Sequence, residues 1–216
     1  MTPTMPIAIL ARAPLPGQTK TRLIPALGAD GAAQLQAQLI AHSVAKCAQA
    51  ALGPVTLFAT PDLAHPLFER IAAYHDIALA RQCDGDLGAR MAHALAHMQG
   101  PALLIGTDCP ALNASHLRAC AAALVDGNDA VVIGAEDGGY VLIGTRTPQP
   151  ALFDNMTWGT PDVLSETLMR GAKTRLSMTV VTTLWDVDTP SDLARLRASP
   201  LAAQVTADYA ALGLGA

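Results

Sequence analysis

A short apolar stretch that ends in a single carboxylate constrains the fold of this chain most strongly. Residues 101–105 read Pro-Ala-Leu-Leu-Ile, and residues 106–110 continue as Gly-Thr-Asp-Cys-Pro. An apolar run of this length, bounded by Gly and Pro, predicts a buried central strand. Ligands of open α/β sheets bind beyond the carboxyl ends of the strands, so Asp108 stands where a ligand would bind. The alternative is that Asp108 only caps the helix that follows near Asn113.

The segment after the first predicted strand is basic, although the chain has a formal net charge of −4. It contains Arg12, Lys20 and Arg22, and no acidic residue precedes Asp30. A local concentration of positive charge attracts anions. Gly17 and two prolines turn the segment, which leaves backbone N–H groups free to face a ligand. We interpret the segment as a phosphate-binding loop, and a solvated charged loop is the alternative.

A second pair of carboxylates lies near the other end of the chain. Asp186 and Asp188 follow a β-branched segment that predicts a strand over residues 176–184. Thr189 and Asp192 have the spacing of a helix-capping box, which explains those two residues but not the preceding acids. Like charges at this spacing repel each other unless a cation joins them, and hard divalent cations prefer carboxylate oxygens. The pattern therefore predicts a divalent-cation site.

Two glycine-containing motifs lie between these segments. Residues 82–90 read Gln-Cys-Asp-Gly-Asp-Leu-Gly-Ala-Arg. Gly85 and Gly88 allow close backbone approach, which suits packing against a flat nucleobase, and Gln82 offers one donor and one acceptor group to a base edge. A tight turn before an acid-rich helix N-terminus is the alternative. Residues 136–140 read Glu-Asp-Gly-Gly-Tyr, which is an ordinary hairpin signal between two strands.

The chain predicts an α/β fold in which helices cover both faces of a mostly parallel sheet. With 216 residues, 51% of them apolar, one domain with a sizeable core is expected. Strands are predicted near residues 6–11, 55–60, 76–80, 101–106, 130–134, 140–144 and 176–184. Helices are predicted over residues 30–52, 62–74, 87–98, 115–125, 161–170 and 190–198, with one weak helix and a frayed tail after residue 201.

Five motifs occur in a characteristic order: the basic loop, Gly-Asp-Leu-Gly at 85–88, Thr-Asp-Cys-Pro at 107–110, Glu-Asp-Gly-Gly-Tyr at 136–140 and Asp-Val-Asp-Thr-Pro at 186–190. Together they resemble the bacterial DUF2064 family of GT-A-fold glycosyltransferases, in the nucleotide-diphospho-sugar transferase superfamily. That family is similar to the molybdenum-cofactor and phospholactate guanylyltransferases. The resemblance runs from about residue 6 to 196 and implies a three-layer α/β/α sandwich of GT-A type. We expect a single nucleotide-binding transferase domain over residues 1–216, with its core at 6–198 and a C-terminal helix and tail at 199–216.

The resemblance also implies roles for individual residues. The metal ligands would be Asp108, Asp188 and Asp186; the nucleotide and phosphates would be bound by Arg12, Gly17, Lys20, Arg22, Gln82, Gly85 and Gly88; the acceptor would lie against Gly138 and Gly139; and the catalytic residues would be Lys20 and Asp137. Two departures stand out: Thr107-Asp108-Cys109 replaces a full Asp-x-Asp, and residues 12–14 read Arg-Ala-Pro where nucleotidyltransferases tend to have Gly-Gly.

The expected function is metal-dependent transfer of a glycosyl or nucleotidyl group, from a nucleotide sugar or a nucleoside triphosphate, to a small acceptor. The cofactor would be Mg²⁺ or Mn²⁺, since both accept carboxylate oxygens. A non-catalytic nucleotide sensor with the same pocket is the alternative. The sequence argues against a P-loop, because Thr19 stands directly before Lys20 where the P-loop motif has Gly. We interpret Trp158 as packing at the edge of the core rather than as part of the site.

The N-terminal sequence and the cysteines indicate where the protein is located and which kinds of site it lacks. Residues 1–6 contain no basic start before an apolar core, and no apolar run approaches the about 18 residues of a membrane span. We therefore expect a cytoplasmic protein with small-molecule partners, without a membrane span and without nucleic acid. The four cysteines have no paired spacing, so neither a zinc site nor a disulfide framework is predicted. Cys109 is interpreted as a small buried thiol rather than as a nucleophile.

Overall fold

The computed structural model describes residues 4–214, which form a seven-stranded sheet with helices on both faces. The strands are β1 (Ile7–Arg12), β2 (Val55–Thr60), β3 (Ala78–Arg81), β4 (Ala102–Ile105), β5 (Ala130–Ala135), β6 (Tyr140–Thr145) and β7 (Met178–Leu184). Their spatial order is β3-β2-β1-β4-β6-β5-β7. Strand β6 runs antiparallel to both of its neighbours, and the other pairings are parallel.

Seven α-helices accompany the sheet within the described residues. They are α1 (Ile24–Ala50), α2 (Pro66–His75), α3 (Leu87–His97), α4 (Ala114–Val125), α5 (Val163–Lys173), α6 (Pro190–Ala198) and α7 (Leu201–Ala210), and two short 3-10 helices span Thr21–Leu23 and Pro150–Leu152. Helices α1, α2 and α4 bury their apolar side chains against one face of the sheet, whereas α3 and α5 pack on the other. This arrangement confirms the predicted α/β sandwich. Between residues 4 and 214, no helix is long and apolar enough to cross a membrane.

The central strands are buried on both faces, as the apolar sequence pattern predicts. Ile7 and Ile9 belong to the core under α1, whereas Ala8 between them belongs to the core under α3. Successive side chains of a strand point to opposite faces, so a strand covered on both sides needs a continuous apolar run rather than an alternating one. All of β4 satisfies the same rule, with every residue buried.

Helix α1 begins earlier than the sequence pattern indicates. It starts at Ile24 instead of residue 30, and Gly28 interrupts it with φ 72° and ψ 169°. These angles are open to glycine and strained for other residues, so the chain kinks there and then continues as a regular helix. The sequence pattern predicted only the part after this kink.

The C-terminal segment is a packed helix rather than a weak one. Helix α7 lies against α1 and buries Val205, which is 1% exposed, in a third apolar cluster. That cluster also holds Trp185, Val187 and Leu193, which flank the acidic segment after β7. The predicted frayed tail falls partly on residues 215–216, which lie outside the described residues.

The strand order places a crevice at the carboxyl ends of β1 and β4. The chain adds β2 and β3 on one side of β1, then returns to add β4 and the later strands on the other side. The strand order therefore reverses between β1 and β4, and at such a switch point the loops after the two strands leave an open crevice between them. Since β6 is reversed, it begins at this same edge, so the turn before Tyr140 also reaches the crevice.

Two leucines of α3 provide a direct test of this packing. Leu95 is 1% exposed in the core under α3, whereas Leu87 is 45% exposed. We expect Leu95→Ala to lower the free energy of unfolding by about 2–5 kcal/mol, because it removes buried methylene groups and leaves a cavity. Leu87→Ala should change it by less than about 0.5–1 kcal/mol. Urea denaturation measures both, and equal effects of the two substitutions would contradict the packing of α3.

Candidate active site

The crevice at the ends of β1 and β4 is an open cleft with a volume of about 620 Å³. This volume falls within the usual range for small-molecule sites. The ends of several strands line the cleft: residues 10–12 and 18–22 at and after the end of β1, residues 104 and 106–108 at the end of β4, residues 137 and 139–141 at the start of β6, and Asp188 after β7. Further lining residues come from α1, α3 and residues 158–160. Both ends of the chain therefore contribute to one site.

Lys20 is the side chain that joins these segments. Its Nζ lies 2.5 Å from Asp108 Oδ1 and 2.9 Å from Asp188 Oδ1, and it donates a hydrogen bond to the Val187 carbonyl at 2.7 Å. The Lys20 side chain is only 4% exposed, whereas those of Asp108 and Asp188 are 44% and 39% exposed. The ammonium group is thus enclosed, while both carboxylates still face the cleft.

Lys20 has a strained backbone conformation at the point where its side chain contacts the two acids. Lys20 has φ 47° and ψ 41°, in the left-handed region that non-glycine residues rarely adopt. Gly17, three residues earlier, also has a positive φ of 77°, so the loop turns twice before the 3-10 helix Thr21–Leu23. Backbone strain of this kind persists only where the surrounding structure fixes the residue. Here, the contacts with Asp108, Val187 and Asp188 fix it.

The electrostatics of the cleft keep Lys20 charged. Burial by itself would lower the pKa of Lys20, but the adjacent carboxylates of Asp108 and Asp188 outweigh burial and raise the pKa above its ordinary value. A lysine that loses its water shell is stable as a cation only with such partners. Lys20 is therefore a permanent positive charge between two strand-end acids.

Backbone contacts hold the two acids at a fixed separation. The Val187 N–H donates to the Asp108 carbonyl at 2.8 Å, which joins the loop after β4 to the loop after β7. The predicted capping box is present at the start of α6: the Thr189 N–H donates to Asp192 Oδ2 at 2.7 Å, and the Asp188 N–H donates to the same oxygen at 3.2 Å. Asp188 is thus positioned by the N-terminus of α6.

Asp186 differs from its two acidic neighbours because it does not line the cleft. Burial first, and then the charges of Asp137 and Asp188, raise the pKa of Asp186 to about 6. A carboxylate with a raised pKa, close to other carboxylates, lacks the cation that would stabilise its charge. Added positive charge nearby would therefore stabilise the ionised form of Asp186.

The remaining cations of the basic loop are exposed to the cleft. Arg12 and Arg22 line it from the solvent side, and Arg12 makes a single long hydrogen bond, at 3.5 Å, to the Gln18 carbonyl. Thr19, which is 4% exposed, also lines the cleft, and its hydroxyl has no hydrogen-bond partner within residues 4–214. A buried hydroxyl without a partner is costly, so a ligand that supplied one would be favoured.

Gln82 does not offer the base-reading pattern that the sequence suggested. Its amide nitrogen donates to the carbonyls of Ala11 at 3.0 Å and Phe58 at 2.8 Å, so both N–H groups are used within the protein. Gln82 lines the cleft but can present only its carbonyl oxygen to a base. The prediction that Gln82 offers a hydrogen-bond donor to a base is therefore wrong, whereas its acceptor remains available.

Gly85 and Gly88, unlike Gln82, do not line the cleft. A Cβ at Gly88 would lie 2.7 Å from the Phe153 carbonyl oxygen and 2.9 Å from a ring carbon of Trp158, so the absence of a side chain serves internal packing. Gly85 has a φ of +113° and turns the chain into α3. Close approach to a nucleobase, as predicted for both glycines, is thus replaced by close approach of α3 to the loop that carries Trp158.

The turn between β5 and β6 reaches the cleft in part. Asp137 and Gly139 line it, and Asp137 Oδ1 accepts a hydrogen bond from the Gly139 N–H at 2.9 Å. Gly138 points away: with a φ of +92°, a Cβ there would lie 2.1 Å from the Pro161 carbonyl oxygen. The prediction that Gly138 forms a wall for the acceptor is wrong, because its conformation and packing against Pro161 account for the glycine.

Arg90, Tyr140 and Trp158 are among the cleft residues that were not predicted as site residues. Trp158 packs edge to face on Tyr140, with ring centroids 6.5 Å apart and an interplanar angle of 83°. The interpretation of Trp158 as a residue at the edge of the core is incomplete, since it also forms a wall of the cleft. Its Gly- and Pro-rich surroundings were the available signal. Cys109, as predicted, is a buried thiol, with 6% exposure, and burial raises its pKa to about 12.

A divalent cation fits the acids of the cleft in charge and donor chemistry. Asp108 and Asp188 already converge on one positive charge, that of Lys20, and both carboxylates face the cleft. One ammonium leaves these two acids with a net negative charge. Within the described part of the chain, no group of three or more acidic, histidine or cysteine side chains is arranged to hold a metal alone. Any metal here would therefore complete its coordination with ligand oxygens or water, as Mg²⁺ commonly does.

Several solved structures that share the fold are described as transferases or synthetases. A crystal structure from Desulfovibrio desulfuricans G20, described as a "putative nucleotide-diphospho-sugar transferase", is 28% identical and has a TM-score of 0.79, with 96% of each chain covered. CMP-2-keto-3-deoxy-manno-octonic acid synthetase complexed with CTP is 13% identical, with a TM-score of 0.60 and coverage of 94% of this chain and 99% of that chain. Glucosyl-3-phosphoglycerate synthase from Mycobacterium tuberculosis, in complex with Mn²⁺, UDP and glucosyl-3-phosphoglycerate, is 11% identical, with a TM-score of 0.52 and coverage of 97% and 79%.

The fold is that of the nucleotide-diphospho-sugar transferase superfamily, which confirms the predicted fold class. The chain belongs to the family described as "Uncharacterized protein conserved in bacteria (DUF2064)", whose sequence model matches residues 43–160. The matched segment contains Asp108 and the 136–140 turn, whereas Lys20 and Asp188 lie outside it. No curated protein matches the chain significantly.

The raised pKa of Asp186 gives a test of the cleft's electrostatics. Since its folded pKa of about 6 exceeds its ordinary value of 3.8, the folded state favours the protonated form. The associated stability is present below about pH 4 and is lost as the pH rises through about 6. We therefore expect Asp186→Asn to raise the free energy of unfolding at about pH 8 and to change it little at about pH 4.

Urea denaturation at the two pH values measures this difference. Asp126→Asn, which alters an exposed carboxylate at the C-terminus of α4, is the matched control and should show no comparable gain. An Asp186→Asn variant that is no more stable than the parent at the higher pH would contradict the electrostatic account.

Proposed function

We propose that this protein is a metal-dependent transferase that moves a nucleotidyl or glycosyl group from a nucleotide donor to a small acceptor. The observation that carries the proposal is the enclosure of Lys20 between Asp108 and Asp188 at the edge of a donor-sized cleft. The contact places charges of both signs at the strand ends, which is where ligands of open α/β sheets bind. A nucleotide with a divalent cation suits such a site, because the basic groups would bind its phosphates and the acids would bind the cation.

The donor's phosphates would bind along the basic loop. Arg12 and Arg22 are exposed to the cleft without an acidic partner among residues 4–214, and Lys20 supplies a third charge at the cleft's base. The Thr19 hydroxyl, which lacks a partner, would donate to a phosphate oxygen. Well-placed donors in a site with little water stabilise negative charge that develops on a leaving group, by a few kcal/mol each at most.

The cleft-facing oxygens of Asp108 and Asp188 would hold a divalent cation, with Asp186 behind them. When bound, Mg²⁺ or Mn²⁺ would supply neutralisation of the phosphate oxygens. In the absence of the metal, Lys20 would offset the repulsion between the two acids, because its ammonium contacts both. Positive charge nearby would stabilise the ionised form of Asp186, whose pKa is raised to about 6.

The acceptor would enter from the side of β6. Asp137 lies at that wall, and its Oδ1 is oriented by the Gly139 N–H, which leaves Oδ2 free to accept a proton from, or to orient, an acceptor hydroxyl. Transfer by direct displacement then needs no covalent intermediate with the protein. Asp137 would thus act on the acceptor, and Lys20 on the leaving group.

Different observations support the two kinds of transfer. Four basic side chains line the cleft, those of Arg12, Lys20, Arg22 and Arg90, and this concentration of positive charge favours a triphosphate donor such as a nucleoside triphosphate. The relative from Desulfovibrio desulfuricans G20, at 28% identity, is described as a sugar transferase, which favours a nucleotide sugar. The leaving group separates them, since nucleotidyl transfer releases pyrophosphate and glycosyl transfer releases a nucleoside diphosphate.

Thermal unfolding with nucleotides and metals tests the proposal. The protein is heated with each nucleoside triphosphate or nucleotide sugar, in Mn²⁺, Mg²⁺ or EDTA. A ligand at about 100 times its dissociation constant stabilises by roughly 2.7 kcal/mol, which raises the melting temperature by about 5–10 °C for a chain of this size. Asp108→Asn should abolish the metal-dependent part of the rise, whereas the control Asp126→Asn should retain it.

The outcomes separate binding from catalysis. A metal-dependent rise that needs Asp108, followed by release of pyrophosphate or nucleoside diphosphate with an acceptor, supports the proposal and identifies the reaction. The same rise without turnover for any acceptor would favour the alternative of a non-catalytic nucleotide sensor. If no nucleotide shifts the melting temperature, the proposed donor site is wrong.

A further inference from the structure

Helix α1 contacts the Asp108 loop from behind with two buried polar side chains. Gln36 is 5% exposed, and its Nε2 donates to Thr107 Oγ1 at 3.1 Å. His42 is 1% exposed, and its Nε2 lies 3.0 Å from the Pro110 carbonyl oxygen. Buried polar side chains in a helix that otherwise packs apolar residues are costly unless they are hydrogen-bonded, so these contacts define where the loop must lie.

The two contacts bracket Asp108. Thr107 immediately precedes Asp108, and Pro110 follows it by two residues, whereas Gln36 and His42 are six residues apart on α1. A helix rises 1.5 Å per residue, so the two anchors are about 9 Å apart along its axis. A loop that is fixed on both sides by one rigid helix holds its intervening side chain in one position.

His42 is itself fixed by the C-terminal helix. Its Nδ1 lies 2.7 Å from Asp208 Oδ2 on α7, and Lys46 Nζ lies 3.2 Å from the same oxygen. Both the Asp208 carboxylate and the Pro110 carbonyl only accept hydrogen bonds, so the ring makes both bonds when both nitrogens carry protons. The pKa of His42 is lowered overall, because burial and the charge of Lys46 outweigh the two acceptors, which raise it.

We propose that His42 is a positioning residue for Asp108. Its hydrogen bond to the Pro110 carbonyl holds the Asp108 loop against Lys20, and Asp208 on α7 holds the ring in place. Helix α7 is thereby a functional part of the site, although it contributes no residue to the cleft. The inference rests on the proposed metal-binding role of Asp108, which the experiment below tests separately.

Substitutions at His42 distinguish positioning from stability. His42→Gln retains an N–H donor near the position of Nε2 and can still reach the Pro110 carbonyl, whereas His42→Asn retains a donor only near Nδ1, towards Asp208. His42→Leu removes both. The control is Leu95→Ala, which lies in the core under the opposite face of the sheet and lowers stability without touching the Asp108 loop.

The first measurement is the affinity of the full chain for Mn²⁺ alone. The electron paramagnetic resonance signal of the free ion reports how much Mn²⁺ remains unbound. Loss of a partner that orients a metal ligand typically weakens binding by about 10–100-fold. We expect such a loss for His42→Leu and His42→Asn, affinity within a few-fold of the parent for His42→Gln, and parental affinity for Leu95→Ala. If His42→Asn binds as tightly as His42→Gln, or if Leu95→Ala weakens binding equally, the positioning role is wrong.

The second measurement needs no ligand. Amide hydrogen exchange reports on the Val187 N–H, which donates to the Asp108 carbonyl, and on the N–H groups of residues 107–109. Faster exchange there in His42→Asn, but not in His42→Gln or in the control, supports positioning, and unchanged exchange overturns it. If the parent protein binds no Mn²⁺ in a manner that depends on Asp108, the proposed metal site fails, whereas the exchange result still decides whether His42 holds the loop.

Discussion

The ion pairs of Lys20 with Asp108 and Asp188 are the constraint on which the rest of the site depends. They join three strand-end loops, one from each end of the chain and one from its middle, at a single enclosed ammonium group. An enclosed lysine is tolerable only with partners, and two carboxylates in proximity are tolerable only with a cation. Each group therefore requires the others, and this mutual requirement explains the strained, left-handed backbone of Lys20. The same three side chains place both positive and negative charge in the cleft before any ligand binds.

Most of the fold follows from local sequence patterns. The seven predicted strands agree with the observed ones to within about two residues, because central strands such as β4 are uninterrupted apolar runs bounded by turn-forming residues. The start of α1 was not predicted, since Gly28 interrupts the helical pattern and the helix continues through the kink. The packed state of α7 was also missed, because an Ala- and Leu-rich segment is a weak helix by itself and is stabilised here by tertiary contacts with α1.

The site follows from the sequence where a residue's position at a strand end decides its location. Asp108, Asp188 and the basic loop meet in one cleft for that reason. Glycines were less informative, because Gly88 and Gly138 are required by packing against other protein segments and not by a ligand. The contact of His42 with the Asp108 loop has no local signal, since its partners lie 68 and 166 residues away in sequence.

The proposed cation site consists of Asp108 and Asp188, whose negative charge Lys20 partly neutralises. A crystal structure of the chain with Mn²⁺ and the nucleotide that stabilises it best tests this claim directly. We expect an anomalous scattering peak within coordination distance of both carboxylates, with the donor's phosphates contacting Lys20 and the basic loop. A peak elsewhere, or a nucleotide bound outside the cleft, would contradict the account.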